Sequence, residues 1–217
     1  GGYVDSTLKI AGHFIGSNVA MLAASKWGID RYTALDDNIV VDRPVFLLVD
    51  MFSASASEIL AGALQDYNKA ILVGERTYGK GSMQSLFPLS DGGALKLTTN
   101  YIYTPKGRIF NELGLEPDVK IENEAEPYYA VLLLLNGDAE NRDSKEEFMA
   151  IDIKGKIYDI DLKKARQDEY WEGYRAIIND ALAKRRSIFI GTSAGWKVFE
   201  EEGDIYRYYF PDYKELP

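Results

Sequence analysis

Apolar residues recur along this chain in two rhythms, and the places where the rhythm changes outline its elements. After Asp5-Ser6, a helix-start pair, Leu8, Ala11, Ile15, Val19 and Leu22 fall on one helical face. This predicts a helix that ends at Lys26-Trp27-Gly28, with His13 on the opposite face towards solvent. Pro44 precedes Val45–Val49, a continuous apolar run that predicts a strand buried on both faces. Ser53–Ser57 then leads into a helix from Glu58 to Leu64, ending near Tyr67-Asn68. Ala70–Val73 predicts a second buried strand. Helix, strand, helix, strand is the order of an α/β sheet with crossover helices.

After Gly74 the chain breaks into short pieces at Gly79, Gly81, Gly92 and Gly93. Met83–Pro88 and Ala94–Tyr103 read as strands around an Asp91-Gly92-Gly93 turn. In the second strand Leu95, Leu97, Thr99 and Tyr101 lie on one side and Lys96, Thr98 and Asn100 on the other. Thr104–Gly107 is a turn. From Ile121 the pattern shifts to an acidic stretch, Glu122–Glu126, then a short helix from Pro127 to Leu135 and a polar loop over Asn136–Glu147. Phe148–Ile153 and Ile157–Leu162 form a hairpin around Lys154-Gly155-Lys156. Lys163–Arg186 reads as one helix, and Ile188–Ile190, Trp196–Phe199 and Ile205–Phe210 as strands. The fold class is thus α/β (α+β): a crossover-helix sheet core over residues 1–120 and an appended small α+β region over residues 121–217. The aromatic cluster Tyr206, Tyr208, Tyr209 and Phe210 suggests a packed sheet or an interface.

Composition narrows the functions open to such a fold. The 217 residues are 46% hydrophobic, enough for one good core, and the net charge is −9, which repels phosphate and argues against nucleic-acid partners. With no cysteine and a single histidine, His13, a zinc site would rest almost wholly on carboxylates. No apolar run approaches the length of a membrane span.

Two segments carry candidate chemistry. Ser53-Ala54-Ser55-Ala56-Ser57-Glu58 sits where a buried strand turns into a helix, beside backbone N–H groups that have no intrahelical partner. A serine lifted out of the sheet there can attack a carbonyl while the N–H of Ala56 steadies the oxyanion. Ser55-x-x-Glu58 is also a capping box, with Glu58 as its third-position partner, and on this segment alone capping is the commoner role. No histidine is well placed to activate the serine. A lysine can do so where burial disfavours its ammonium form. Lys80 lies between Gly79 and Gly81, whose small size lets the backbone pass close to a neighbour, and Tyr78 and Met83 could dry its pocket. In isolation an exposed turn lysine is the commoner reading. Gly74–Lys80 also matches the opening of a phosphate-binding loop, but Gly81 stands where Ser or Thr should hold magnesium, and a strand rather than a helix follows.

Together these segments resemble the C-terminal processing peptidases, also called tail-specific proteases. The matching blocks are Gly1–Asp5, Ser53–Ile59, Gly62–Asp66, Val73–Gln84, Leu97–Thr99, Tyr103–Gly107 and Gly114–Val119, covering roughly residues 1–120. The resemblance implies Ser55 as nucleophile, Lys80 as general base and Gln84 as the residue that orients the lysine. It implies an oxyanion hole from the N–H of Ala56 and one N–H of the first Gly-Gly pair, assigned to Gly1. It further implies a protein or peptide substrate cut near its C-terminus, no metal or other cofactor, and an extracytoplasmic location; self-association is left open. Family members carry a PDZ domain and more protease core ahead of the Gly-Gly pair. The chain is therefore expected to be a fragment, weakly active or inactive alone. The rival readings are a catalytically silent interaction module, a nucleotide-binding protein and an acyl-transferring enzyme of related fold.

Overall fold

The computed structural model describes residues 1–41, 43, 45–121, 126–135, 148–192 and 195–199. Residues 122–125 of the predicted acidic stretch, the 136–147 loop, Pro44 and the 205–210 strand with its aromatic cluster lie outside the described residues. The chain divides into two compact units, Gly1–Asp118 and Val119–Pro217.

The first unit opens with α1 (Val4–Ile15), whose Leu8, Ala11 and Ile15 are buried as the helical period requires. The helix stops there rather than running on to Trp27. Gly16 adopts φ 60° and sends its N–H to the Gly12 carbonyl, and the Asn18 side chain bonds the Ile15 carbonyl at 2.7 Å. The next apolar residues form β1 (Val19–Ser25), which turns at Lys26-Trp27 into β2 (Gly28–Thr33). His13 is half-exposed, with Nδ1 3.6 Å from an Asp36 carboxylate oxygen.

The crossover expected from the pattern follows: β3 (Phe46–Val49), α2 (Ala56–Asp66) and β4 (Ile71–Gly74), with β3 and β4 parallel. β4 is buried throughout. β3 is not: Leu48 is 50% exposed, because β3 stands at a sheet edge. The chain then forms β5 (Ser82–Pro88) and β6 (Ala94–Tyr103). They complete an antiparallel sheet of order β2-β1-β6-β5. One face of that sheet, carrying Met21 and Ile102, packs with Val49, Ile59, Leu72, Phe110 and Leu115 into a core. A second cluster joins Leu8, Ala11 and Ile15 of α1 to Ala63 and Leu64 of α2.

The second unit holds β7 (Val119–Lys120), α3 (Pro127–Leu135) and the hairpin β8 (Phe148–Ile153) and β9 (Lys156–Asp161). The expected 163–186 helix is two helices. The Asp161 side chain accepts the N–H groups of Lys163 and Lys164 and caps α4 (Leu162–Ala165), and a fresh start at Gln167 opens α5 (Asp168–Ala183) with two acidic residues in its first turn. β10 (Ile188–Thr192) and β11 (Gly195–Phe199) finish a sheet of order β11-β10-β8-β9. No helix among the described residues is long and apolar enough to cross a membrane.

Candidate active site

The turn from β3 into α2 is sharp and stiff. Asp50 accepts the N–H groups of Phe52 and Ser53 and the Ser53 hydroxyl at 2.9–3.0 Å. Ser55, at the N-cap of α2, is held at φ 60° and ψ −120°. A residue with a side chain pays strain for positive φ, and such strain concentrates at reactive sites. This is the geometry of a nucleophile elbow, in which a strand-to-helix corner presents a serine hydroxyl. Capping and presentation are not alternatives here: the Glu58 carboxylate takes the Ser55 N–H at 2.8 Å as a capping box requires, within the same strained turn. Ala56 supplies the first amide of α2 and is buried. Gly1 lies alongside: a Cβ built on it would stand 3.2 Å from the Ala54 carbonyl oxygen and 3.6 Å from Ser55 Cβ.

The lysine segment is laid directly on this turn. Tyr78 donates its N–H to the Ser53 carbonyl at 3.0 Å. Glu58, fully buried, accepts the Gly79 N–H at 2.7 Å on Oε1 and the Lys80 N–H at 2.8 Å on Oε2. That second oxygen is the one that takes the Ser55 N–H, so one atom touches the backbones of both residues. Space for this comes from the glycines. A Cβ on Gly79 (φ 93°) would stand 2.8 Å from the Gly114 nitrogen, and one on Gly81 2.9 Å from that of Asn111. The Asn111 side chain in turn accepts the Gly81 N–H at 3.1 Å.

Tyr78 and Met83 do not dry a pocket around the lysine: Tyr78 is 66% exposed, Met83 packs towards the core, and Lys80 itself is exposed. Gln84 is also exposed, on β5, just past a bulge between Met83 and Gln84, and no hydrogen bond joins it to Lys80 among the described residues. The structure thus brings the Gly1, Ser55, Ala56 and Lys80 backbones together and leaves the Lys80 and Gln84 side chains in the open. After Lys80 the chain enters β5, so the phosphate-loop reading lacks its helix.

Sequence reasoning missed the web around Glu58. It read Glu58 as a cap alone, and it assigned no role to Thr77 or to the 110–115 loop. The signal was present in the Gly114–Val119 block, whose glycine holds φ 69° against the Thr77 carbonyl. Among the described residues no cluster of His, Asp and Glu could hold a metal ion.

Comparison with known proteins places these features in context. The family model described as peptidase family S41 matches residues 1–121. The carboxy-terminal-processing protease of Bartonella bacilliformis is 35% identical over 144 residues, 65% of this chain and 33% of that protein. The chloroplastic C-terminal processing peptidase of Tetradesmus obliquus is 37% identical over 145 residues, 65% of this chain and 31% of that protein. A solved photosystem II D1 C-terminal processing protease superposes with a TM-score of 0.55 at 37% identity, over 64% of this chain and 37% of that one. The chain spans about a third of the length of these curated relatives. With its serine turn, glycine-flanked lysine and 1–121 match, the chain belongs to peptidase family S41, a family of serine peptidases.

Proposed function

We propose that this chain carries the reacting groups of a serine peptidase that cuts protein substrates near their C-termini through a Ser55–Lys80 pair. The observation that carries the reading is the Glu58 oxygen shared by the Ser55 and Lys80 N–H groups. It ties a strained serine to a lysine 25 positions away, and a mere helix cap has no need of the second contact.

In the proposed mechanism the neutral Lys80 amine takes the Ser55 Oγ proton as Oγ attacks the scissile carbonyl. The tetrahedral oxyanion is held by the N–H groups of Ala56 and Gly1. The Lys80 ammonium then gives its proton to the leaving amine, which departs and leaves an ester on Ser55. Water attacks that ester with Lys80 again as base, releasing the carboxylic acid and restoring the hydroxyl. Gln84 orients the amine. No metal or cofactor enters the scheme. The location proposed with it is extracytoplasmic, on the strength of the family resemblance.

A lysine amine serves as a base only where its surroundings disfavour the ammonium. Lys80 is exposed in this chain, so the scheme requires a cover from beyond the described residues, from substrate or from further polypeptide. The same observation favours a second reading for the chain by itself, a weakly active or silent unit. Both are tested with a serine-reactive phosphonate and an unfolded protein substrate with an apolar tail. They are offered to this chain and to the natural polypeptide that carries it. The natural polypeptide should be labelled at Ser55 and should cleave; Ser55→Ala should lose both and Lys80→Ala the cleavage. A natural polypeptide that neither labels nor cleaves sinks the first reading. Robust cleavage by the isolated chain, lost in Ser55→Ala, sinks the second.

A further inference from the structure

Glu58 holds the two reacting segments together, and what holds Glu58 is Thr77. Thr77 is 4% exposed and sits three residues before Lys80. Its hydroxyl donates to Glu58 Oε1 at 2.5 Å and accepts the Leu115 N–H at 2.7 Å. Its own N–H donates to the Leu115 carbonyl at 3.1 Å. Gly114 lies so close that a Cβ there would fall 2.1 Å from the Thr77 carbonyl oxygen. The hydroxyl proton is thus committed to Glu58 and a lone pair to Leu115, and no other proton can replace it. With Oε1 fixed by Thr77 and Gly79, the carboxylate plane is set, and Oε2 is turned to Ser55 and Lys80.

We propose that Thr77 is a positioning residue for peptide cleavage, acting through Glu58 to set the Lys80 segment against the Ser55 turn. This rests on the Ser55–Lys80 reading above. Thr77 touches no reacting atom; its hydroxyl anchors the 110–115 loop, the Lys80 loop and the start of α2 to one carboxylate. Valine has nearly the shape of threonine but neither bonds the carboxylate nor accepts the Leu115 N–H. Serine keeps both bonds.

The test compares Thr77→Val and Thr77→Ser in the natural polypeptide that carries this chain. The readouts are kcat, KM, the rate of phosphonate labelling at Ser55, amide hydrogen exchange at Gly79 and Lys80, and the thermal midpoint. Small misplacements of reacting groups cost rate steeply. Thr77→Val should therefore lose about tenfold or more in kcat and in labelling, with KM within about threefold of wild type. The Gly79 and Lys80 amides should exchange about tenfold faster or more, since their acceptor is no longer held. Thr77→Ser should return every readout to within about threefold. Glu58→Gln should reproduce the valine pattern, and the double variant should lose no more than the larger single loss, as residues in one network do. Should Thr77→Val not fold, Thr77→Cys, with its weak donor and acceptor, carries the same comparison. A folded valine variant with wild-type kcat and amide protection overturns the proposal. So does a loss that merely tracks the unfolded fraction, or a folded serine variant that recovers nothing. A wild type with no Ser55-dependent chemistry defeats the peptidase reading instead, while amide exchange still decides whether Thr77 holds the Lys80 segment.

Discussion

At Ser55 the backbone holds a φ of 60° and a ψ of −120°, which only glycine adopts without cost. The hydroxyl is thus kept against the preference of its own main chain. Glycine at this position should relieve the strain, whereas alanine should keep it. Ser55→Gly is therefore expected to be more stable than Ser55→Ala by about 1 kcal/mol or more, measured by urea unfolding. Equal midpoints would show that the turn carries no strain. The opposite case is Gly79, with φ 93° and its neighbour's nitrogen 2.8 Å from where a Cβ would stand. Gly79→Ala should cost about 2 kcal/mol or more and should lower labelling of Ser55 beyond the loss of folded protein, because the same backbone carries the Lys80 amide.

Helix α2 is the element that joins the reacting end of the fold to its frame. Its last residue, Asp66, is buried and accepts the Lys106 N–H at 2.8 Å and the Arg108 guanidinium at 2.6 and 2.8 Å. This pins the Thr104–Gly107 turn. Asp66→Ala leaves the Lys106 amide without its acceptor and should cost about 1–3 kcal/mol, read as a drop in midpoint. The C-cap, Tyr67, bonds the Val19 carbonyl at 3.1 Å and so ties α2 to β1. Its burial, with the Asp66 carboxylate adding, pushes the phenol above its ordinary value. The folded state then holds that proton more tightly than the unfolded chain. This group leaves stability flat below about pH 10 and lowers it as pH rises beyond. Tyr67→Phe should flatten that alkaline slope; an unchanged slope assigns it to another group. Elements such as α2, β4 and β6 were legible in the sequence because each has one rhythm with clear stops. The Val19–Ala24 run was not. Every residue there is apolar, so it fits a helical phase and a strand equally, and the decision fell to Gly16 and Asn18, which end α1 locally. Lys163–Arg186 failed for a related reason: its periodicity continues across the break at Arg166-Gln167, where α4 ends and α5 starts afresh. In the site, Ser55 and Lys80 were marked by chain-local patterns. Glu58 and Thr77 draw their meaning from partners 19 to 38 residues distant, which no local pattern contains.

Across the whole first unit the antiparallel sheet has one buried and one open face. Ala23 and Ile102, paired across β1 and β6, point into the core. The register of Ile29 with Ala24 and of Ala24 with Tyr101 puts these residues on the other side. Ile29, Tyr101, Leu97, Leu95 and Phe87 are all exposed, and Tyr101, Leu97 and Phe87 line one hollow with Trp27. Exposed apolar surface of this kind is sticky in water. The chain should bind a hydrophobic dye and associate as concentration rises, and Leu97→Lys with Phe87→Lys should reduce both without lowering the midpoint. Unaltered dye binding would place the sticky surface elsewhere. The shared Glu58 oxygen has a different kind of reach, into design. A nucleophile turn grafted onto another α/β scaffold without the glycine-bearing strap that contributes its lysine would arrive with half of that acceptor's donors missing. The transplantable module is discontinuous, two stretches of chain meeting at one carboxylate with the 110–115 loop bonded behind Thr77, and it would have to be moved as a single cassette.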